Sequence, residues 1–248
     1  MENDFLKNRH SYRNFSKQTV SDQLLEEIIE DAMRAPTCGN MQLYSVIVTR
    51  DADMKEKMAP MHFNQPAAKN ANVILTICAD FQRFSKWCEL SDAVPGYDNF
   101  HSFITALTDG VIFAQQITTV AESKGLGTCY MGTVNYNATA ISELLELPEL
   151  VVPVACIALG YPEGEPEIVE RLPLKAVMHK EKYEKFSNQE IIDLFKVKDE
   201  FPLNVHHKEI NGKSSLAQVY TDIRYPKEMN EQVSKTFLNL IVDKGFKV

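Results

Sequence analysis

Several features that would place this sequence in a familiar class are missing from it. No stretch approaches the roughly 20 consecutive apolar residues of a membrane-spanning helix. The first residues, MENDFLKNRH, lack the apolar core of a secretory signal. The five cysteines are scattered and include no CxxC pair, which disfavours a disulfide framework and a structural zinc site. We therefore expect a cytoplasmic protein with reduced thiols and no membrane association.

Positive charge is also scarce. The chain has 26 lysines and arginines against 34 aspartates and glutamates, and its net charge of −8 argues against nucleic-acid binding. Its 248 residues, 44% of them hydrophobic, suffice for one large domain or two small ones with a substantial core. A cluster of cations in such a chain is a local exception that requires an explanation.

The common catalytic motifs are absent as well. The segment GLGTCYMG holds two glycines of a dinucleotide fingerprint, but it lacks the third and follows a helix instead of preceding one. The sequence contains no P-loop, no G-x-S-x-G elbow and no H-E-x-x-H. His206 and His207 are adjacent and point apart, so we predict no metal site there. A catalytic Cys–His pair remains an alternative, although no local sequence motif supports one.

What is present is an alternation of helices and short apolar strands. This alternation predicts an α/β or α+β fold around one sheet. The segment from Phe81 to Tyr97 is expected to be a loop. A long apolar helix follows it, with Ile104 and Val111 on its buried stripe, and should end at Gly125. The other predicted helices cover VSDQLLEEIIEDAMRAP with Ser21 as its cap, residues 51–61, 137–145 and 228–244, and the predicted strands are YSVIVTRD, ANVILTICAD, GTCYMG and VVPVACIALGY.

The segment RHSYRNFS places Arg9, Ser11 and Arg13 at alternate positions. On an extended backbone such positions share one face, whereas on a helix they point in different directions. Two cations that flank a hydroxyl would then suit an anion with several oxygens, above all a phosphate. The alternative interpretation is a solvated basic patch before a helix.

Three further segments carry polar groups next to predicted elements. APTCGNMQ offers Thr37, Asn40 and Gln42 to the edge of a flat heterocycle, or it is simply a turn that ends a helix. Gln65 lies shortly before a buried strand. Gly132 allows close approach of a ligand to the backbone, or it marks a strand end or bulge.

Taken in order, RHSYRNF, APTCGNMQ, ESKGLGTCYMGTV and LLELPELVVPVACIALGYP resemble the nitroreductase family of FMN-dependent NAD(P)H oxidoreductases. CADFQR and ERLP point to its flavin-reductase branch, which includes the major oxygen-insensitive nitroreductases. The resemblance implies an α+β fold, a three-layer α/β/α sandwich with a central mixed sheet, in an intertwined homodimer. It implies one domain, 1–248, with a core over about 5–180 and a C-terminal extension, 181–248, that packs on the partner subunit.

The resemblance also implies a cofactor site. In similar proteins the first arginine and the serine of the opening motif hold the FMN phosphate, and the third basic residue lies by the flavin pyrimidine. Val169 departs from the pattern, because relatives often carry a second basic residue there. We therefore expect either a weaker affinity for the phosphate or compensation by a residue elsewhere. The implied cofactor-binding residues are Arg9, His10, Ser11, Arg13, Thr37, Asn40, Gln65, Met131, Gly132, Thr133 and Arg171.

The implied activity is a ping-pong transfer of hydride from NAD(P)H, through bound FMN, to a nitroaromatic, quinone or flavin acceptor. The cofactor carries the chemistry, so no catalytic side chain and no metal are expected. A group of basic residues would suit the 2′-phosphate of NADPH, or it forms plain solvated surface; it comprises His206, His207, Lys208 and Lys213. The preference for NADH or NADPH is therefore left open. The alternatives are an FMN-binding member with a different reaction and a cofactor-free interaction protein.

Overall fold

A computed structural model describes residues 4–165 and 168–248 of the chain. The described residues form two compact units. The first comprises the residues up to 165 together with 233–248, and the second comprises 168–232. Each unit is described below by itself.

The first unit is built around a four-stranded sheet. Its strands are β1 (Tyr44–Thr49), β2 (Val73–Asp80), β3 (Gly127–Tyr130) and β4 (Val151–Gly160), in the order β1-β2-β4-β3. All four predicted strands are confirmed, and so is the α+β class. The pairing among these described strands is antiparallel throughout, so the expectation of a mixed sheet is wrong for them.

The helices surround this sheet or make up the second unit. Seven lie in the first unit's part of the chain: α1 (Asp4–Lys7), α2 (Asp22–Ala32), α3 (Ala52–Met58), α4 (Pro66–Asn70), α5 (Gln82–Leu90), α6 (Phe100–Ser123) and α7 (Ala138–Leu144). The second unit contains α8 (Asn188–Asp199), α9 (Pro202–Ile210) and α10 (Leu216–Gln218), and α11 (Lys227–Asp243) begins there.

Helix α5 lies inside the segment that we expected to be a loop, so that prediction is wrong. The helix is stabilised by rings that are distant in sequence. Phe81 stacks on Tyr97 with 4.9 Å between ring centroids, and Phe84 meets the same tyrosine edge-on at 5.5 Å. These aromatic contacts fix the helix against the segment that follows it.

The two faces of the sheet are covered by different helices. On one face Leu75 and Ile77 pack in a core with Phe113 and Ile117 of α6, and α2 packs on α6 in turn. On the other face Ile74 contributes to a second core, which includes residues of α3, α4 and α7. Every residue of β2 and β4 is buried as a result, and the expected three-layer sandwich is confirmed.

The end of helix α6 is predicted correctly, but the prediction of its buried face is partly wrong. It is stopped by Gly125, whose φ of +82° is the left-handed conformation that favours glycine. The buried face carries Phe103, Phe113 and Ile117. Ile104 and Val111, which we placed in the buried stripe, are 38% and 44% exposed. The helix therefore has apolar residues on an outer face too.

The N-terminal segment lies along the outer edge of β3, whose only neighbour among the described strands is β4. The Tyr12 N–H donates to the Thr128 carbonyl at 3.0 Å, and Phe15 forms an isolated bridge with Pro162. A Cβ built on Gly127 would lie 2.8 Å from the Tyr12 ring, which is closer than carbon atoms approach. Glycine at position 127 therefore permits this docking.

We expect Gly127→Ala to lower the free energy of unfolding by about 1–3 kcal/mol, because the added methyl group must displace the Tyr12 ring. Urea unfolding measures the change. Gly96→Ala is the matched control, since its Cβ would meet no atom within 4 Å. Equal stability of the two variants would show that the contact between Tyr12 and Gly127 does not constrain the segment.

Candidate functional site

The two arginines of the N-terminal segment have different environments. Arg9 is half-buried, and its Nη2 lies 3.3 Å from Oε1 of Glu122, a buried carboxylate of α6. Burial raises the pKa of Glu122, while the Thr128 hydroxyl and Arg9 act in the opposite direction. Arg13 is exposed. Glu122 thus orients Arg9 and offsets part of its charge, whereas Arg13 offers its charge to solvent or to a ligand.

Both arginines lie close to β3. Burial raises the pKa of the Cys129 thiol, and the positive charges of Arg13 and Arg9 oppose that rise. Since electrostatic effects of this kind need proximity, the two cations share the surroundings of one strand residue. The predicted grouping along an extended segment agrees with this arrangement.

His10, between the two cations, has a buried nitrogen without a hydrogen-bond partner among the residues that the structure describes. Its Nδ1 pairs with the Asn8 carbonyl at 2.7 Å, and its ring packs on Tyr12. Its Nε2 is buried without a hydrogen bond. A cavity of about 220 Å³ lies beside Arg9, His10 and Glu122. An unpaired buried polar atom beside a cavity is suited to a ligand atom.

The turn after β3 holds the predicted backbone donors. The Met131 N–H donates to the Cys156 carbonyl at 2.8 Å, so the sheet already uses this donor. Gly132 and Thr133 open a short 3-10 turn, Gly132–Asn135, and the first N–H groups of a helical turn have no partner within it. Of the three predicted backbone donors, the N–H groups of Gly132 and Thr133 therefore remain available to a ligand.

Sequence reasoning missed His62, which connects two parts of the candidate site. Its Nδ1 lies 2.7 Å from the Thr133 hydroxyl oxygen, and its Nε2 lies 3.6 Å from the Cys156 sulfur. Burial lowers the pKa of His62 to about 4, so the imidazole is neutral. Phe63 and Asn64, both left-handed, then lead to the half-buried Gln65. A lone histidine in MAPMHFNQP gave no signal of this role.

Sequence reasoning also missed Asp109, a buried carboxylate on α6. Its two oxygens accept the Cys38 N–H at 2.9 Å and the Leu43 N–H at 3.3 Å. It thereby fixes both ends of the segment that carries Thr37 and Asn40. The available signal was the position of Asp109 in the middle of the apolar part of α6, because a buried charge requires partners.

Within that segment the predicted residues differ in exposure. The Thr37 hydroxyl oxygen is buried without a hydrogen bond, as His10 Nε2 is. Asn40 is exposed and left-handed, with a φ of +58°, and its carbonyl accepts from the Gln42 amide at 3.0 Å. These bonds attach the segment to α6 and to itself.

The structure thus gathers some predicted residues and separates others. The larger group comprises Arg9, His10, Ser11, Arg13, Met131, Gly132 and Thr133, which lie along β3 or in the turn after it. Gln65 follows His62 by three residues, and His62 contacts Thr133. Thr37 and Asn40 lie on the segment that Asp109 holds. Arg171 lies in the second unit, where its exposed guanidinium donates to the carbonyls of Val169 and Glu170.

The residues considered for a nucleotide 2′-phosphate have partners of their own in the second unit. Lys208 Nζ lies 3.8 Å from an Asp199 oxygen, and Lys213 Nζ lies 2.8 Å from an Asp222 oxygen. These pairs favour a structural role for both lysines. Burial lowers the pKa of His207, and the charge of Arg224 acts in the same direction.

The part of the chain that the structure describes contains neither a group of metal ligands nor a membrane-spanning helix. No three histidine, cysteine, aspartate or glutamate side chains in this part are grouped so that they could hold a metal ion. No helix in it has the length and apolar character needed to cross a membrane.

The chain is similar to known proteins along most of its length. A model described as the nitroreductase family matches residues 6–161. An FMN reductase [NAD(P)H] from Bacillus subtilis (strain 168) is 32% identical over 98% of this chain and 96% of its own. An oxidoreductase of known crystal structure from Bacteroides fragilis NCTC 9343 has 44% sequence identity to this chain. Its structure matches with a TM-score of 0.97 over 99% of this chain and 100% of its own. The NfrA1 nitroreductase from B. subtilis is 26% identical, with a TM-score of 0.85 over 98% of each chain.

The lowered pKa of His62 predicts a pH dependence of stability. Between about pH 6.5 and pH 4 the unfolded histidine binds a proton while the buried one does not. The free energy of unfolding should therefore fall by up to about 3 kcal/mol as the pH is lowered through this window. His62→Gln should lack this part of the slope in urea unfolding at several pH values. His101→Gln, at an exposed position of α6, should keep it, and equal slopes for all three proteins would contradict the assignment.

Proposed function

Because the chain belongs to the nitroreductase family, we propose that it is an FMN-dependent oxidoreductase that passes electrons from NAD(P)H to nitroaromatic, quinone or flavin acceptors. The relatives described as an FMN reductase and a nitroreductase support this activity. The observation that carries it is the docking of Arg9–Arg13 beside β3, next to the turn that contains Gly132 and Thr133.

The residues along β3 fit the phosphate end of FMN. Arg9 and Ser11 would bind the phosphate, and His10 Nε2 supplies a buried polar atom that still lacks a partner. The role of Arg171, which lies in the second unit, stays a prediction from the resemblance. In a chain of net charge −8, a dianionic phosphate needs such a local concentration of cations.

Other residues would hold the ribityl chain and the ring. Thr37, Asn40 and Gln65 supply amide and hydroxyl groups, and the Thr37 hydroxyl is another buried polar atom without a partner. Bound FMN supplies the capacity to accept a hydride and to pass it on. The chain's own contribution is to bind, orient and stabilise charge.

Three features would stabilise negative charge on the ring. Arg13, an exposed cation, would lie by the pyrimidine, where a fixed charge favours electron arrival. The N–H groups of Gly132 and Thr133 would donate to the ring edge. His62, which is neutral, fixes the Thr133 side chain at 2.7 Å and so steadies this turn.

We further propose that the protein is a cytoplasmic homodimer whose whole chain forms one functional domain. The exposed apolar residues Ile104 and Val111 on α6 support a partner surface. Exposed apolar residues also occur on α8, among them Ile192 and Phe195, which supports packing of the extension on the partner subunit. The five free cysteines agree with a reducing compartment.

The purified protein should show flavin absorbance, either directly or after addition of FMN, and NADH or NADPH added without oxygen should bleach it. Each nucleotide is added to a separate sample, so the faster reaction identifies the preferred donor. A protein that is colourless and fails to bind added FMN would rule out the oxidoreductase. A flavin that neither nucleotide reduces would instead favour a different reaction on the same fold.

Arg13→Ala should weaken FMN binding about 10- to 100-fold, because a charge-assisted contact to the cofactor is lost. Fluorescence titration of the apoprotein with FMN measures the dissociation constant. Lys57→Ala, an exposed cation of α3, is the charge-matched control and should bind FMN as the unmodified protein does. Unchanged affinity of the Arg13 variant would contradict the proposed role of this residue.

A further inference from the structure

A second cavity in the first unit shares no residue with the proposed cofactor site. Its volume is about 870 Å³, within the range of small-molecule sites. It is enclosed by residues 14–19, by Arg50 after β1, by Lys55 of α3 and by residues 69–72 between α4 and β2. We name this space the basic groove, after the charges that line it.

The basic groove is cationic in an acidic protein. Lys17, Arg50, Lys55 and Lys69 line it, and Glu163 is the carboxylate among its lining residues. Four cations gathered in one concavity repel each other, and an anion placed between them relieves this repulsion.

Two of the four cations are fixed by the structure. Arg50 Nη1 donates to the Val20 carbonyl at 2.6 Å, and its Nη2 lies 3.2 Å from an oxygen of Asp22. Lys55 Nζ donates to the Ala71 carbonyl at 3.1 Å. With Asp22 and Glu163 both subtracted, the groove keeps a net charge of +2. Carbonyl partners orient a cation without neutralising it, so this charge is available to a ligand.

Neutral donors complete the lining. Asn72 is held at both ends, because its amide nitrogen donates to the Ser16 carbonyl at 3.3 Å and its oxygen accepts the Tyr161 N–H at 3.2 Å. Asn14, Asn70 and Thr19 add amide and hydroxyl groups to the same lining. Amides and hydroxyls beside several cations are typical of sites that bind phosphate oxygens.

We propose that the basic groove binds a small anion with two or three linked phosphate groups, either inorganic diphosphate or the phosphate chain of a nucleotide. Cations from four separate segments suit a chain of phosphates better than one phosphate. The net charge of −8 and the concave, ligand-sized shape argue against a nucleic acid or an anionic membrane as the occupant.

The test is isothermal titration calorimetry of the full chain saturated with FMN, at low ionic strength, with diphosphate, ADP and orthophosphate as separate ligands. The double variant Lys17→Met, Lys69→Met removes two exposed lining cations. We expect it to weaken diphosphate binding at least ten-fold. Lys57→Met lies on the same helix as Lys55 but outside the lining, and it should bind as the unmodified chain does. Orthophosphate should bind more weakly than diphosphate.

The results also identify the source of the ligand. If diphosphate and ADP both weaken in the double variant, the groove recognises a phosphate chain whether or not a nucleoside is attached. If only diphosphate binds and weakens, the inorganic anion is the ligand. Added salt should weaken either interaction. Unaltered flavin absorbance and NAD(P)H oxidation in the variants would show that the fold and the cofactor site are intact.

Two results would overturn the proposal. One is the absence of diphosphate and ADP binding to the unmodified chain. The other is binding that is equal in the double variant and the control, because such binding would belong to another surface. ADP binding that the double variant leaves unchanged would point to the site that receives NAD(P)H.

Discussion

The candidate site depends on how the protein covers the outer edge of β3. An edge strand exposes backbone N–H and carbonyl groups, and here the N-terminal segment satisfies part of that edge through the bond between Tyr12 and Thr128. The docking requires a residue without a side chain at position 127, because the Tyr12 ring lies directly against Gly127. Once the segment is docked, Arg9 reaches Glu122 and His10 reaches the adjoining cavity. The surface that we propose for cofactor binding is thus a consequence of the completion of a sheet edge.

Charge is distributed in a way that suits anionic ligands despite the acidic composition. A carboxylate beside Arg9 holds the guanidinium in place and reduces its charge, whereas Arg13 has an exposed guanidinium beside the same strand. In the basic groove, Lys55 is oriented by a backbone carbonyl, which leaves its charge intact. The chain therefore fixes a cation either with a carboxylate or with a backbone carbonyl. A carboxylate lowers the charge that a ligand encounters, whereas a carbonyl does not.

Two buried polar side chains attach the functional loops to the rigid part of the first unit. Asp109 accepts two N–H groups of the 38–43 segment, and His62 pairs with Thr133 in the turn after β3. Loops that bind ligands need such support, because irregular backbone has few hydrogen bonds of its own. Neither side chain has to touch a ligand to matter. Each fixes the geometry of residues that we propose do.

The sequence alone determined the four strands, the long helix that ends at Gly125, the alternation of Arg9, Ser11 and Arg13, and the family. These features are local, since they depend on periodicity, caps and short motifs. Tertiary structure decided the antiparallel order, helix α5 and the exposure of Ile104. It also decided the roles of His62 and Asp109, whose bonds to Thr133 and Cys38 each join residues 71 positions apart. A local pattern cannot specify such partners, because hydrogen bonds and burial across that distance exist only once the chain has folded.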